Sequence, residues 1–129
     1  MIKSNDFTYV RDGLRDKYKK NIYIVDCTLS SNVPQFPATS IVSNNSVAER
    51  YSTFDGIENV VNEEYEVNVY ANDTERKDEQ TKEICELICD LFNERGYIRT
   101  YEGLVDNLLD SSISRRVARF RKNNITKEI

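Results

Sequence analysis

The sequence contains no histidine and no tryptophan, and only two prolines and four glycines. Without histidine, the commonest general base of enzymes and the triads built on it are excluded. The glycines lie far apart, so neither glycine-rich phosphate-binding motif occurs. A lysine or carboxylate could still act as a base, but no spacing singles one out. We therefore expect a binding or structural protein rather than an enzyme, with no catalytic residues, cofactor or metal site.

Cysteine is scarce as well, at Cys27, Cys85 and Cys89. A structural zinc site needs four ligands, and with no histidine these three thiols are too few. An odd, low count is typical of a reducing cytoplasm, where a free cysteine packs as a small apolar residue. The sequence therefore predicts structural rather than redox or metal-binding roles for the thiols.

Long apolar runs are missing too. No stretch approaches the roughly 18–20 apolar residues that a membrane-spanning helix needs, and residues 1–6 lack the apolar segment of a secretory signal. A chain of 129 residues is normally one domain. We expect a single soluble domain over residues 1–129 with no membrane contact.

Charge is unevenly distributed along the chain. The net charge is −4, yet residues 111–129 hold six basic side chains and one acid, which leaves −9 on residues 1–110. A protein that binds nucleic acid over its whole surface is usually basic. A basic strip on an acidic body is equally suited to contact between subunits.

The first half of the chain predicts one helix and several strands. Residues 4–20 place apolar side chains at helical spacing, and residues 22–25 form a short apolar run typical of a strand. A loop over residues 30–37 contains both prolines. Further strands are predicted at 37–43 and 47–53, with a turn at 44–45 between them.

The second half has clearer periodicity. Residues 59–71 alternate between apolar and polar side chains, which indicates a strand with one buried face. Asn72, Asp73 and Thr74 can then cap a helix that ends near Arg95, with Gly96 as its stop. The first half of that helix is almost entirely polar, so we expect it to project past the sheet.

The remaining residues are harder to assign. Residues 97–101 predict a strand, 102–110 a loop anchored by apolar side chains, and 123–129 a frayed tail. Residues 111–122 fit a helix slightly better than a strand, because Ile113, Val117 and Phe120 recur at helical spacing. The order of elements indicates an α+β fold with two helices and four to six strands.

The one unusual constellation is the arginine-dense tract over residues 114–122. Arginine pairs with carboxylates and phosphates through a planar fork and is enriched at interfaces. Three interpretations compete: a solvated basic face, a subunit-interface element that meets acidic neighbours, and a nucleic-acid strip assisted by Tyr97 or Tyr101. The acidic remainder of the chain disfavours the third, because it opposes phosphate.

Several short motifs give the chain a resemblance to a known family. Residues 65–72 form a strand before the long helix, and residues 96–100 read Gly-Tyr-Ile-Arg-Thr after it. Residues 107–115 read Asn-Leu-Leu-Asp-Ser-Ser-Ile-Ser-Arg, and Arg-Phe follows at 119–120. Upstream, a Pro-Gln-Phe-Pro segment at 34–37 precedes an Ile-Val strand. In order and spacing the chain resembles the tail terminator (tail completion, head–tail joining) proteins of long-tailed bacteriophages and phage-tail-like particles.

The resemblance implies a fold and a role. It implies a mixed, mainly antiparallel β-sheet with two helices packed on it, and it favours a strand rather than a helix over 111–122. It implies a structural virion protein, made in the bacterial host cytoplasm, that caps the head-proximal end of the tail and stops tube elongation. Its partners would be copies of itself in a hexameric ring, the tail tube, a sheath protein where one is present, and head-connector proteins. DNA would at most pass through the lumen of the ring.

The candidate contact residues follow from the tract and the resemblance together. The candidate subunit-interface residues are Arg115, Arg116, Arg119, Arg121, Lys122, Glu64 and Glu66. The candidate loop-contact residues are Pro34, Phe36 and Pro37. The alternatives are another neck protein, such as a head-completion or adaptor subunit, and a small nucleic-acid-binding regulator that uses residues 115–122.

Overall fold

Two helices and a mixed sheet make up most of the described chain. A computed structural model describes residues 5–29, 33–43, 46–47, 58–105 and 112–127. The helices are α1 (Asn5–Tyr18) and α2 (Lys77–Glu94). The strands are β1 (Tyr23–Val25), β2 (Ala38–Ser43), β3 (Ser46–Val47), β4 (Glu58–Ala71), β5 (Ile98–Val105) and β6 (Ser114–Lys127). The predicted α+β class with a mixed, mainly antiparallel sheet is confirmed.

The strand order is β1-β2-β4-β6-β5, with the short β3 paired to β4 beside this path. β1 and β2 run parallel, and every other described pair is antiparallel. β6 lies between β4 and β5 although it follows both in the chain. The arginine-dense tract is therefore part of a central strand of the sheet.

Both helices pack on one face of this sheet, and the alternation of β4 explains why. Tyr65, Val67 and Val69 are at most 1% exposed and point toward the helices. Across the β4–β6 pairing, Tyr65 lies opposite Phe120 and Val67 opposite Ala118, so the apolar rows coincide. The Phe92 ring of α2 lies over both rows, with its centroid 5.1 Å from that of Tyr65 and 4.7 Å from that of Phe120. Such aromatic pairs contribute roughly 0.5–1.5 kcal/mol each beyond their area burial.

The first helix reaches the core through a close approach to the second. Val10 and Leu14 of α1 are fully buried in the same cluster as the sheet residues. A Cβ built on Gly13 would lie 2.7 Å from both Leu91 methyl carbons of α2. The glycine thus lets the two helices approach where any side chain would displace Leu91.

The long helix differs from the prediction at its start. Its first residue is Lys77 and its N-cap is Arg76, which makes no side-chain capping hydrogen bond, so the predicted cap at residues 72–74 precedes the helix by one turn. The Asp73 Oδ1 atom accepts hydrogen bonds from the backbone nitrogens of Glu75 (2.9 Å) and Arg76 (3.1 Å). The polar half does not project past the sheet, because Thr81 is fully buried and Ser114 of β6 donates to Asp78 Oδ1 at 2.5 Å.

Two predicted strand ends were wrong, because β5 and β6 both continue further along the chain than predicted. Residues 102–105, predicted as loop, continue β5 because they pair with residues 115–118 of β6. Residues 123–127, predicted as a frayed tail, continue β6 because they pair with residues 58–62 of β4. Residues 111–122 were assigned to a strand on the resemblance, and a strand is confirmed from Ser114 onward. The predicted turn at 44–45, residues 48–53 of a predicted strand and residues 106–110 lie outside the described residues.

Candidate subunit interface

The alternation of β6 divides the arginine-dense tract between the two faces of the sheet. Phe120 and Ala118 point toward the helices, so Arg116 and Lys122 share that side. Arg115, Arg119 and Arg121 point to the opposite, helix-free face. The five basic side chains therefore do not form a single strip, as the linear sequence suggested.

On the helix-free face, the arginines lie opposite the predicted acidic residues of the same chain. Arg119 pairs in register with Glu66 and Arg121 with Glu64. The Arg119 Nε–Glu66 Oε1 distance is 3.3 Å, and both side chains are about half exposed. Arg115 Nε donates to Asn68 Oδ1 at 2.9 Å, where Asn68 is 7% exposed. The structure thus brings five of the seven candidate interface residues together, as a cross-strand ladder within one subunit.

On the helix side, the other two candidates, Arg116 and Lys122, contact residues of the same subunit. The Arg116 side chain is 11% exposed, forms an ion pair with Glu102 of β5, and donates from Nε to Thr81 Oγ1 at 3.3 Å. Lys122 places Nζ 5.6 Å from the centroid of the Tyr97 ring. Tyr97 is itself 2% exposed, so it is no stacking platform for nucleic-acid bases. Arg116 and Lys122 hold β5, β6 and α2 together rather than offering a free basic surface.

The edge strand β5 is the surface that sequence reasoning missed. It pairs only with β6 among the described strands. The described residues include four large apolar or aromatic side chains that are exposed, and three of them lie here: Ile98 (69%), Tyr101 (46%) and Leu104 (50%). Arg119 from the neighbouring strand lies with its guanidinium carbon 5.8 Å from the Tyr101 ring centroid. The signal in the sequence was the apolar Leu104 and Val105, which were interpreted as loop anchors instead of strand residues.

The candidate loop-contact residues lie near β1 and β2, at the opposite edge of the sheet from β5. Pro34 is exposed, while Phe36 and Pro37 are half-buried beside β1 and β2. The Phe36–Pro37 peptide bond is cis, and the Pro37 carbonyl accepts a hydrogen bond from Tyr23 N at 3.0 Å. Pro37 also borders a cavity of about 220 Å³ between α1 and α2. β4 separates this loop from the arginine-dense tract, so the two predicted contact regions are not adjacent.

A buried carboxylate joins the elements that support β5. Asp6 of α1 is 6% exposed and accepts hydrogen bonds from Tyr97 Oη at 2.7 Å and from Arg95 Nε at 2.8 Å. Burial raises the pKa of Tyr97 well above its ordinary range, and the Asp6 hydrogen bond raises it further. The neutral hydroxyl therefore remains a donor, and Asp6 fixes the chain where it turns from α2 into β5.

The chemistry of the described residues is that of packing and pairing. No group of three or more His, Cys, Asp or Glu side chains among them could hold a metal ion. Burial raises the pKa of the Cys85 thiol to about 12, which suits a packed side chain rather than a nucleophile. Within the described part of the chain, neither helix is long and apolar enough to cross a membrane.

No protein-family model matches the sequence. No curated protein matches it either.

Proposed function

We propose that the chain is a structural subunit of a long-tailed bacteriophage or phage-tail-like particle. Several copies would form a ring at the head-proximal end of the tail, where they stop tube elongation and contribute to the head–tail junction. The role is non-enzymatic, with the tail tube and head-connector proteins as its neighbours.

The observation that supports this proposal most is the arrangement of the resembling segments. The four strands that hold described parts of the motifs, β2, β4, β6 and β5, are consecutive in the sheet. The helix between the first two motifs, α2, packs through Phe92 on Tyr65 of β4, on Phe120 of β6 and on Tyr97 immediately before β5. Segments that are separate in the sequence thus form one folded unit, and its edge strand β5 exposes apolar side chains.

The exposed edge is the second support. A monomeric protein usually protects an edge strand, because unpaired backbone groups and apolar side chains invite association. Here the edge strand instead exposes Ile98, Tyr101 and Leu104. A subunit that assembles on a tail has a use for such a surface, whereas a protein that acts alone has none.

The direct test is assembly of the purified chain. Sedimentation over a wide concentration range, with and without tail tubes from the same genome, should reveal a closed ring, and electron microscopy should show six-fold symmetry. Absence of any ring under all these conditions would contradict the proposal.

Particles that lack the protein separate the terminator role from that of another neck protein. Over-long tails are expected if the chain stops tube growth. Tails of normal length on heads that lose their DNA would assign the chain to head completion instead.

A further inference from the structure

A groove of about 190 Å³ lies on the helix-free face of the sheet. Its lining includes Arg115 of β6, Asn68 of β4, Val42 of β2 and Leu29 from the segment that follows β1. We infer that this groove binds a single carboxylate carried on a short apolar group, with the Arg115 guanidinium as its partner. The inference is independent of the proposed ring, because it concerns a site within one subunit.

Arg115 differs from two neighbouring arginines of β6 in its partner. Arg116 and Arg119 each pair with a carboxylate of the same subunit. Arg115 Nε instead donates to the neutral amide oxygen of Asn68 at 2.9 Å. Arg115 forms no ion pair with any carboxylate in the described part of the chain. Its positive charge and the N–H groups of its two terminal nitrogens therefore remain available to an acidic ligand.

A chain of hydrogen bonds holds Arg115 in place. Asn68 is 7% exposed, and its Nδ2 donates to Glu66 Oε2 at 3.3 Å while its Oδ1 accepts from Arg115. Glu66 also lines the groove, but its Oε1 is 3.3 Å from Arg119 Nε. Both oxygens of Glu66 thus have donors, and its charge is balanced within the subunit. The buried amide fixes Arg115 through Nε without neutralising it.

The opposite side of the groove supplies apolar lining. Ser40 Oγ donates to the Cys27 carbonyl at 2.8 Å, which ties the segment after β1 to β2. Close to that bond, Leu29 and Val42 are half-buried in the lining.

Size and charge together define the ligand class. An apolar cavity of about 150 Å³ accommodates benzene, so a groove of about 190 Å³ has room for a group the size of a side chain but not for a nucleotide. Arg115 is the one cation among the described residues that line it. A single cation beside apolar side chains suits a singly charged carboxylate better than a doubly charged phosphate.

The test is a titration of the unsubstituted chain with propionate at constant ionic strength, followed by two-dimensional NMR of the backbone amides. We expect saturable shifts at Leu29, Asn68 and Arg115 with a Kd on the order of 1–10 mM, because so small a ligand makes few contacts. Propionamide, the neutral counterpart, should cause no saturable shift. Absence of saturation by propionate up to about 100 mM, or equal binding of propionamide, would overturn the inference.

Matched variants test the role of Arg115. Arg115→Gln should weaken propionate binding about tenfold or more. Asn68→Asp should do the same, because it places a carboxylate beside Arg115 while keeping the arginine. Arg99→Gln is the control for the loss of one positive charge, since Arg99 pairs with Glu86 and does not line the groove. Equal losses for Arg115→Gln and Arg99→Gln would mean general attraction by charge and would overturn the site.

Circular dichroism shows whether each variant is folded, and Asn68→Asp decides the question if Arg115→Gln is not. If Asn68→Asp binds propionate as tightly as the unsubstituted chain, Arg115 is not the partner of the carboxylate.

Two further probes identify the source of the carboxylate. The capped peptide acetyl-Gly-Glu-Gly-amide presents it on a polypeptide. Tighter binding of this peptide than of propionate would support an acidic side chain of a partner protein as the ligand, whereas equal or weaker binding would support a free short-chain organic acid. Inorganic phosphate that displaces propionate and binds about tenfold more tightly would overturn the carboxylate assignment.

Discussion

Asp6 shows how one side chain can link parts of the chain that are about 90 residues apart. Its two carboxylate oxygens accept from Tyr97 and Arg95 at the exit of α2. A buried carboxylate is costly unless its oxygens are hydrogen-bonded, and here both are. The same contact fixes the first residues before β5, so the geometry of the exposed edge depends on a residue in the first turn of α1.

We predict that Asp6→Ala lowers the free energy of unfolding by about 2 kcal/mol, because the buried Tyr97 hydroxyl loses the carboxylate acceptor that lies 2.7 Å away. Asp6→Asn keeps an acceptor and should lose less. Asp12→Ala is the matched control, since Asp12 is 63% exposed and its pair with Arg11 contributes at most about 0.5 kcal/mol. Urea titrations measure all three, and equal losses for Asp6→Ala and Asp12→Ala would contradict the prediction.

Cys85 gives a prediction about pH. Burial raises its pKa from an ordinary 9.0 to about 12, so the folded state disfavours the thiolate. Below about pH 9 the thiol is neutral in both states, and its ionisation does not affect the free energy of unfolding. As the pH rises from 9 toward 12, only the unfolded chain ionises at Cys85, so the free energy of unfolding falls. At pH 10 the loss is about 1 kcal/mol. Urea titrations at pH 8 and pH 10 in reductant should show a smaller decline for Cys85→Ala than for the unsubstituted chain. An unchanged decline would rule out the ionisation of Cys85 as a cause.

At the scale of elements, β4 was recognisable from sequence because its faces are cleanly divided. β6 was ambiguous because its faces are mixed. Arg116 occupies a helix-side position where Glu102 and Thr81 satisfy it, and Val117 is 5% exposed on the helix-free face. A period of two is lost when a charged residue is buried and an apolar one faces away. Only the resemblance favoured the strand that the structure contains.

The candidate site was less predictable than the fold. The sequence shows that residues 115–122, Glu64 and Glu66 are charged, but the pairing of these residues depends on the β4–β6 register. Register depends on which face of each strand is buried, and the strands that pair here are far apart in the sequence, so the pattern of one strand alone does not fix it. The exposed edge of β5 depends on the insertion of β6 between β4 and β5, a long-range event with no signature in either strand.

We predict that deletion of residues 123–129 destabilises the protein. Residues 123–127 pair with residues 58–62 of β4, so the deletion leaves that end of β4 without this neighbour. Amide hydrogen exchange should show faster exchange at residues 58–62, and the thermal midpoint should fall. A frayed tail would have neither effect, so an unchanged midpoint and unchanged protection would contradict the assigned pairing. Deletion of residues 1–4, which precede α1, provides a control for shortening the chain.

At the scale of the whole molecule, charge separates the competing functions. The chain is acidic overall, at −4, and three arginines of β6 contact residues of the same subunit: Arg119 contacts Glu66, Arg115 contacts Asn68 and Arg116 contacts Glu102. Non-specific binding to nucleic acid depends on cations that are free to neutralise phosphates. An arginine held by a carboxylate on the same surface contributes less to that binding.

We therefore predict no retardation of duplex DNA by about 1 μM protein at physiological salt, roughly 150 mM. Replacing Glu64 and Glu66 by Gln together should increase retardation at low salt, because Arg119 and Arg121 then lack facing carboxylates. Gel-shift titrations over a salt series measure both. Strong, salt-sensitive binding by the unsubstituted chain would favour the regulator interpretation over the structural one.

The position of β6 also bears on how the cell would handle an incomplete copy of this protein. β6 is the latest of the described strands to leave the ribosome, yet it forms the seam between β4 and β5. A nascent chain that stops before Ser114 has both described helices, but β5 has no described strand to pair with and β4 lacks one neighbour. Such a product exposes the apolar rows of β4, which chaperones and proteases recognise in unfinished proteins. Only a chain translated through β6 pairs β5 into the sheet, so the sheet of the described residues is completed at its centre and not at its edge.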